Sequence, residues 1–250
     1  MIKAAFFVKI CLIACSIVFI VAAYQKDKLP GTDEILSSLY NSPNQTQTDA
    51  VPFEVIKNNI TYTITPLYNY ELYGLVVSYF HTATWWNIYH KNWKDFINKK
   101  DLCLIWADNI TNKSYQKMKF SSTSFECHYS TKDLQAWRNF RGNCLSNNHL
   151  LSADESIGEK IMDVGKGDQI YLKGYLVKYS HSGNTFERGS STTRNDSGSG
   201  ACETIFVKEF KVIKAVNKQW RSIHLYAKYA IMFLIILVII LWFKKPLYED

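Results

Sequence analysis

The sequence predicts an α+β domain, a mixed or antiparallel sheet covered by a Trp-rich helix, held between two transmembrane helices. Three observations predict it. Both ends carry long apolar runs, the middle alternates β-branched and aromatic residues with turn signals, and one central stretch repeats its aromatics at helical spacing. The 250 residues leave about 200 for a folded body once the ends are removed, and seven Trp and sixteen Tyr supply enough ring area for one well-packed core.

At the N-terminus, residues 1–24 are nearly continuous apolar sequence from Ile10 to Ala23, with Lys3 and Lys9 before it. Three readings stand. A helix from about Ala4 to Tyr24 spans a bilayer if Lys9 snorkels, since roughly 20 residues are needed. Val21-Ala22-Ala23 also ends the run as the cleavage site of a signal peptide would. Leu12-Ile13-Ala14-Cys15 is similar to the box before a lipidated cysteine, but Ser16 to Ala23 stays apolar where a mature lipoprotein turns polar. The second run, residues 225–243, is long enough to span; Tyr226 and Trp242 suit the interface and Lys244-Lys245 a cytosolic stop. The flanking lysines predict both termini in the cytosol, with 244–250 a cytosolic tail.

Of the net charge of +7, the body accounts for little: residues 25 to 224 hold 24 Lys and Arg against 20 Asp and Glu, near +4. No basic stripe is present, which argues against nucleic acid as a partner. Cys103, Cys127, Cys144 and Cys202 make an even four in the body, and an exported domain with four cysteines predicts two disulfides. The pairing expected is Cys103 with Cys127 and Cys144 with Cys202. No two of the four have zinc-site spacing, so no metal or cofactor is expected. Asn-x-Ser/Thr triplets begin at Asn44, Asn59, Asn109, Asn112 and Asn195, but a composition rich in Asn, Lys, Ile and Tyr makes them frequent by chance. The placement expected is the bacterial inner membrane, with the main domain facing the periplasm.

Residues 25–55 read as a polar linker, with Pro30-Gly31 and Asn41-Ser-Pro-Asn as breakers. The domain proper is expected over 56–222. It opens with strands at Thr61–Thr65 and Tyr73–Phe80. A helix follows between Ala83 and Asn98, where Trp86, Tyr89, Trp93, Phe96 and Ile97 share a face. Strands resume at Leu102–Ala107, Tyr115–Phe120 and Ser124–Tyr129. Short helices follow at Thr131–Phe140 and Asp154–Met162, the first capped by Thr131. Gln169–Tyr179, with a bulge at Gly174, is the most strand-like stretch, and Glu203–Val216 is its partner. The run Gly-Asp-x-Ile-x-Leu-Lys-Gly at 167 to 174 resembles a strand of oligonucleotide- and oligosaccharide-binding (OB) barrels, which implies a small OB-like barrel.

Two sets of residues carry function. The loop from Ser180 to Ala201 gathers Arg188, Arg194 and Asp196 with several Ser and Thr on a glycine-permitted backbone, before Cys202-Glu203. Arg188, Arg194, Asp196 and Glu203 are read as contacts to a protein or glycan partner, making the chain a membrane-anchored, non-enzymatic binding or assembly module of the cell envelope. The alternative is a thiol-dependent hydrolase or transferase: Cys202 attacks, His149 is its base, and Asp196 or Glu203 orients the imidazole. Asn147-Asn148-His149 reads as a turn, and in an oxidising compartment Cys202 is expected to be bridged.

Overall fold

The structure, a computed structural model, describes residues 2–82, 92–124, 126–183, 185–193, 196 and 202–243. It divides into two units, Leu29–Val216 and a terminal unit of Met1–Lys28 with Asn217–Asp250.

The terminal unit pairs α1 (Ile2–Gln25) with the last helix, α5 (Lys218–Phe243). Phe6–Gln25 and Lys218–Phe243 are long and apolar enough to cross a membrane, and nearly all of their apolar side chains face outward. Ala22 and Ala227 are buried, small residues that let two helix backbones approach closely. Phe19 stacks on His224 with ring centroids 4.4 Å apart, and Asn217 Nδ2 donates to Lys28 O at 2.6 Å.

The body is α+β with a mixed sheet. Its strands are β1 (Asn44–Gln47), β2 (Phe53–Lys57), β3 (Ile60–Phe80), β4 (Asn98–Ile105), β5 (Lys119–Thr123), β6 (Glu126–Ser130), β7 (Leu145–Leu151), β8 (Gln169–His181), β9 (Glu187–Arg188) and β10 (Glu203–Lys214). Among the described residues three helices join them: α2 (Asp108–Thr111), α3 (Leu134–Asn139) and α4 (Glu155–Asp163). β5 and β6 form a hairpin of their own. In the main sheet β3 pairs β4, β4 pairs β7, β7 pairs β10, β10 pairs β8, and β8 pairs β3 again. Among the described residues only β7 and β10 pair in parallel. β1 and β2 add to the side of β3 that also meets β4.

Side-chain alternation divides the core. Leu72, Leu102, Leu104, Leu150, Ile170, Leu172, Ile205 and Val207 fill the inner face. On the outer face, Val77, Cys103 and Ile105 pack under Tyr115, Phe120, Phe140 and Leu39. α4 is capped by Asp154, whose Oδ1 accepts from Ile157 N at 3.1 Å. Its C-terminal end meets the buried Lys100, whose Nζ donates to Met162 O at 3.0 Å and Val164 O at 2.5 Å, supplying donors to carbonyls that a helix end leaves over.

Several expectations give way to tertiary packing. Residues 29–55 belong to the body, not to a linker: Leu39 is fully buried, Tyr115 Oη donates to Pro30 O, and Gln169 brackets the turn through Leu36 N and Glu34 O. The two opening strands are one, β3, with a register shift at Pro66, where a residue lacking an N–H fits an irregular ladder. Of the helix expected over 83–98, residues 83–91 lie outside the described residues, and Phe96 and Ile97 lie in a turn and not in a helix. Lys94 takes a φ of 53° and β4 starts at Asn98. Tyr115 lies in a 3-10 turn rather than a strand. α3 is capped by Asp133, not Thr131, through Ala136 N at 2.9 Å, and Trp137 on it is 54% exposed. At Gly174 the extra residue is on β10, between Val207 and Glu209. The glycine itself permits contact, since a Cβ there would overlap Phe206 O.

Candidate active site

Three neighbouring strands bring Asp101, His149 and Cys202 together. Asp101 stands opposite His149 in the β4–β7 ladder, His149 stands opposite Thr204 in the parallel β7–β10 ladder, and Cys202 is two residues before Thr204. A strand repeats its face every second residue, so these side chains lie opposite the inward-facing Leu102, Leu150 and Ile205.

His149 Nδ1 and Asp101 Oδ1 are 2.7 Å apart, both side chains almost fully buried. With Nδ1 so engaged, Nε2 is the atom left for the imidazole's hydrogen bond to Cys202. Asn147 Nδ2 is directed at Cys202 Sγ from 3.6 Å. Burial by itself would lower the pKa of His149; the Asp101 charge, its hydrogen bond and that to Cys202 outweigh burial and raise it to about 9, against a smaller opposing effect from Arg188. Cys202 is a partly exposed thiol outside any disulfide.

The backbone around Cys202 is fixed by the start of the long loop. Ser191 N donates to Cys202 O at 2.8 Å, Thr204 N donates to Ser190 Oγ at 3.0 Å, and Thr204 Oγ1 donates to Gly189 O at 2.9 Å. Upstream, β9 pairs with the end of β8, and Phe186 packs on Trp93 and on His181. His181 Nδ1 accepts from Gly183 N at 3.0 Å, so Nε2 carries the proton donated to Trp93 O at 2.6 Å. The loop and the turn at 93–97 thus meet beside the three strands.

The residues singled out from sequence fare unequally. Cys202 and His149 are together, as the thiol reading requires. Asp196 is not the orienting acid: its carboxylate accepts from Ser191 Oγ at 2.5 Å. Glu203 is not either, since it alternates to the face opposite Cys202 and is 2% exposed. Burial of that kind also removes Glu203 from any contact surface. Arg188 is half-buried on β9, close enough for its charge to act on His149 and Tyr179. Arg194 lies outside the described residues. Asn147-Asn148-His149 is the buried middle of β7, not a turn.

Cys103 and Cys127 are bridged, with Cα atoms 5.8 Å apart. Neither Cys144 nor Cys202 is disulfide-bonded, which corrects the second expected bridge. The reason is register. Cys202 comes level with Asn147, three residues along from Cys144, or roughly 10 Å at strand rise, whereas disulfides need Cα atoms within about 7 Å. Asp101, the residue the sequence reading missed, ends a Lys-Lys-Asp run that gives no sign of burial. Its one hint is the apolar run that it immediately precedes.

Among the described residues no group of three or more His, Cys, Asp and Glu is placed to hold a metal ion. Comparison with protein-family models, characterised proteins and solved structures finds no match for the chain.

Proposed function

We propose that the body is a thiol-dependent hydrolase or transferase, with Cys202 as nucleophile, His149 as the base that takes its proton, and Asp101 as the residue that orients and charges the imidazole. The observation that carries it is the buried Asp101–His149 pair with Cys202 on its far nitrogen, the acid–base–nucleophile order of activated thiols. An imidazole that holds its proton up to about pH 9 places a cation beside Cys202 at neutral pH, the kind of neighbour that activates a thiol as a nucleophile.

The scaffold in this reading is a small OB-like barrel. Its support is the ring of pairings β3–β4–β7–β10–β8–β3, a five-stranded Greek-key order with α4 between the third and fourth ring strands in chain order. Barrels of this type take ligands on the second and third strands, flanked by the loops after the first and fourth. Here those strands are β4 and β7, which carry Asp101 and His149, and the flanking connections are those that leave β3 after Phe80 and β8 after His181. The domain is held on the outer side of a bacterial inner membrane by the two terminal helices, a placement that a disulfide in the body fits.

A second reading keeps the body as a non-enzymatic module that binds a protein or glycan. A polar groove of about 610 Å³ favours it, lined by Asn44, Asn69, Glu71, Lys173, Tyr175 and Lys208 among others, on a different part of the sheet. Alkylation of Cys202 by iodoacetamide, followed against pH on the full chain in detergent, separates the two. The enzyme reading requires rapid reaction well below pH 8.5, slowed by His149→Gln. An ordinary thiol profile, indifferent to that substitution, leaves only the binding module.

A further inference from the structure

We infer that Asn147 is the oxyanion-binding residue of this site, so that its substrates are acyl compounds (esters, thioesters or amides) rather than disulfides or alkyl electrophiles. The inference rests on the thiol reading above. Asn147 precedes His149 by two residues and shares its face of β7; it is 5% exposed, and its Nδ2 is directed at Cys202 Sγ from 3.6 Å. Among the described residues the amide has no other partner, and Oδ1 is buried without one. A strand interior is a costly place for such a group. The adjacent Asn148 is different: its Nδ2 is spent on Leu102 O, Ser146 O and Ser146 Oγ, holding β7 to β4. One amide is structural and the other faces the nucleophile.

The geometry suits addition to a carbonyl. The thiolate of Cys202 forms the S–C bond while the C=O π pair moves onto oxygen. That oxygen is bound to the carbon attached to Sγ, and an oxyanion donor is effective at roughly 2.7–3.1 Å from it. A donor already 3.6 Å from sulfur is within reach. On collapse the oxygen pair restores C=O, the bond to the leaving group breaks, and the imidazolium of His149 gives that group its proton. The neutral imidazole next takes a proton from water or an acceptor nucleophile, which attacks the thioester and releases the thiolate. Disulfide exchange and alkylation pass through no oxyanion and have no use for the amide.

The difference supplies the test. The full chain in detergent is treated in parallel with iodoacetamide and with p-nitrophenyl acetate, and modification of the Cys202 peptide is timed by mass spectrometry. Asn147→Ala is expected to slow acylation by about 100-fold, the loss typical of removing one oxyanion donor, while alkylation, which loses the contact to sulfur and no oxyanion donor, falls far less. Asn147→Thr, which keeps a hydroxyl donor and suits a strand, is expected to recover part of the acylation, and it is read by the same comparison if the alanine variant does not fold. Unchanged acylation, or an equal fall in both reactions, overturns the role of Asn147. A wild-type chain that alkylates rapidly but does not acylate overturns acyl chemistry and leaves the thiol reading intact, whereas slow wild-type alkylation removes the thiol reading itself.

Discussion

His149 Nδ1 sits 2.7 Å from Asp101 Oδ1, directly across the β4–β7 ladder and shielded from solvent on both sides. Two charges taken out of water are costly to bury, and the arrangement holds only while each has the other. Asp101→Asn therefore leaves a buried imidazole without its counter-charge. The expected cost is about 3–5 kcal/mol in denaturant unfolding, the range for breaking a buried pair from one side. Cys202 alkylation at neutral pH should fall with it. An unaltered melting curve would mean that the pair is not formed.

The same pair sets a pH dependence. Burial opposes protonation of His149, but the Asp101 charge and the hydrogen bonds from Asp101 and Cys202 prevail and raise its pKa to about 9, above the unfolded value of about 6.5. The folded state then binds the proton more tightly, so the stabilisation is complete below about pH 6.5 and is lost as pH rises from there through about 9. Urea unfolding between pH 6 and 9.5 should show this decline. His149→Gln should flatten it.

A second buried pair holds the turn before β4. Tyr179 Oη donates to Asp95 Oδ2 at 2.8 Å; burial, and then the Asp95 charge, hold the Tyr179 phenol protonated far above its ordinary range. In the same turn Tyr62 Oη accepts from Phe96 N at 3.1 Å and donates to Lys94 O at 2.5 Å. Tyr179→Phe is expected to cost about 1.5–3 kcal/mol, the range for a hydrogen bond to a charged group. Amide exchange at 94–97 should rise together with it. A loss below about 0.5 kcal/mol would show that the turn is held by other contacts.

How much of this was legible follows from what each signal depends on. The terminal helices were readable because a long apolar run leaves few alternatives. β8 and β10 were readable from period-2 alternation, and α4 was readable as a short helix over 154–162, its cap at Asp154 emerging from the structure. Residues 29–55 were not readable, because Leu39 and the strand β1, Asn-Gln-Thr-Gln, owe their places to partners across the fold: Ala107 N donates to Leu39 O and β1 pairs with β3. The candidate site was half readable. Cys202 and His149 stood out as chemical types, but Asp101 joins them only through strand register, and register is a tertiary property. Asn147 and His149 looked like a turn because Ser-Asn-Asn-His is turn-like composition, which a central strand overrode.

The two terminal helices lead to a topological expectation. Lys3 and Lys9 at one end and Lys244-Lys245 at the other favour both termini in the cytosol. A reporter that is active only outside the cytosol should be silent at either terminus and active when inserted in the exposed loop at Lys132. Activity at the N-terminus, or a mature chain beginning at Tyr24, would replace the two-helix anchor with a single one.

The cysteines provide the last contrast, because one of the two expected bridges forms and the other does not. Cys103 and Cys127 close a loop with a separation of 24 residues, tying β4 to the β5–β6 hairpin across the outer core. By chain entropy such a closure stabilises by roughly 3–4 kcal/mol, so Cys127→Ser should lower the melting temperature of the body substantially, and reduction should do the same to the wild type. Cys202 has no such bond to lose. Cys202→Ser replaces a partly exposed sulfur with a smaller oxygen and should change stability by no more than about 0.5 kcal/mol, while removing the fast alkylation and acylation. Burial raises the pKa of the Cys144 thiol, which should stay slow to alkylate in the folded chain. If Cys202→Ser instead destabilises as much as Cys127→Ser, and non-reducing peptide maps join residues 144 and 202, the thiol is structural and the catalytic reading falls.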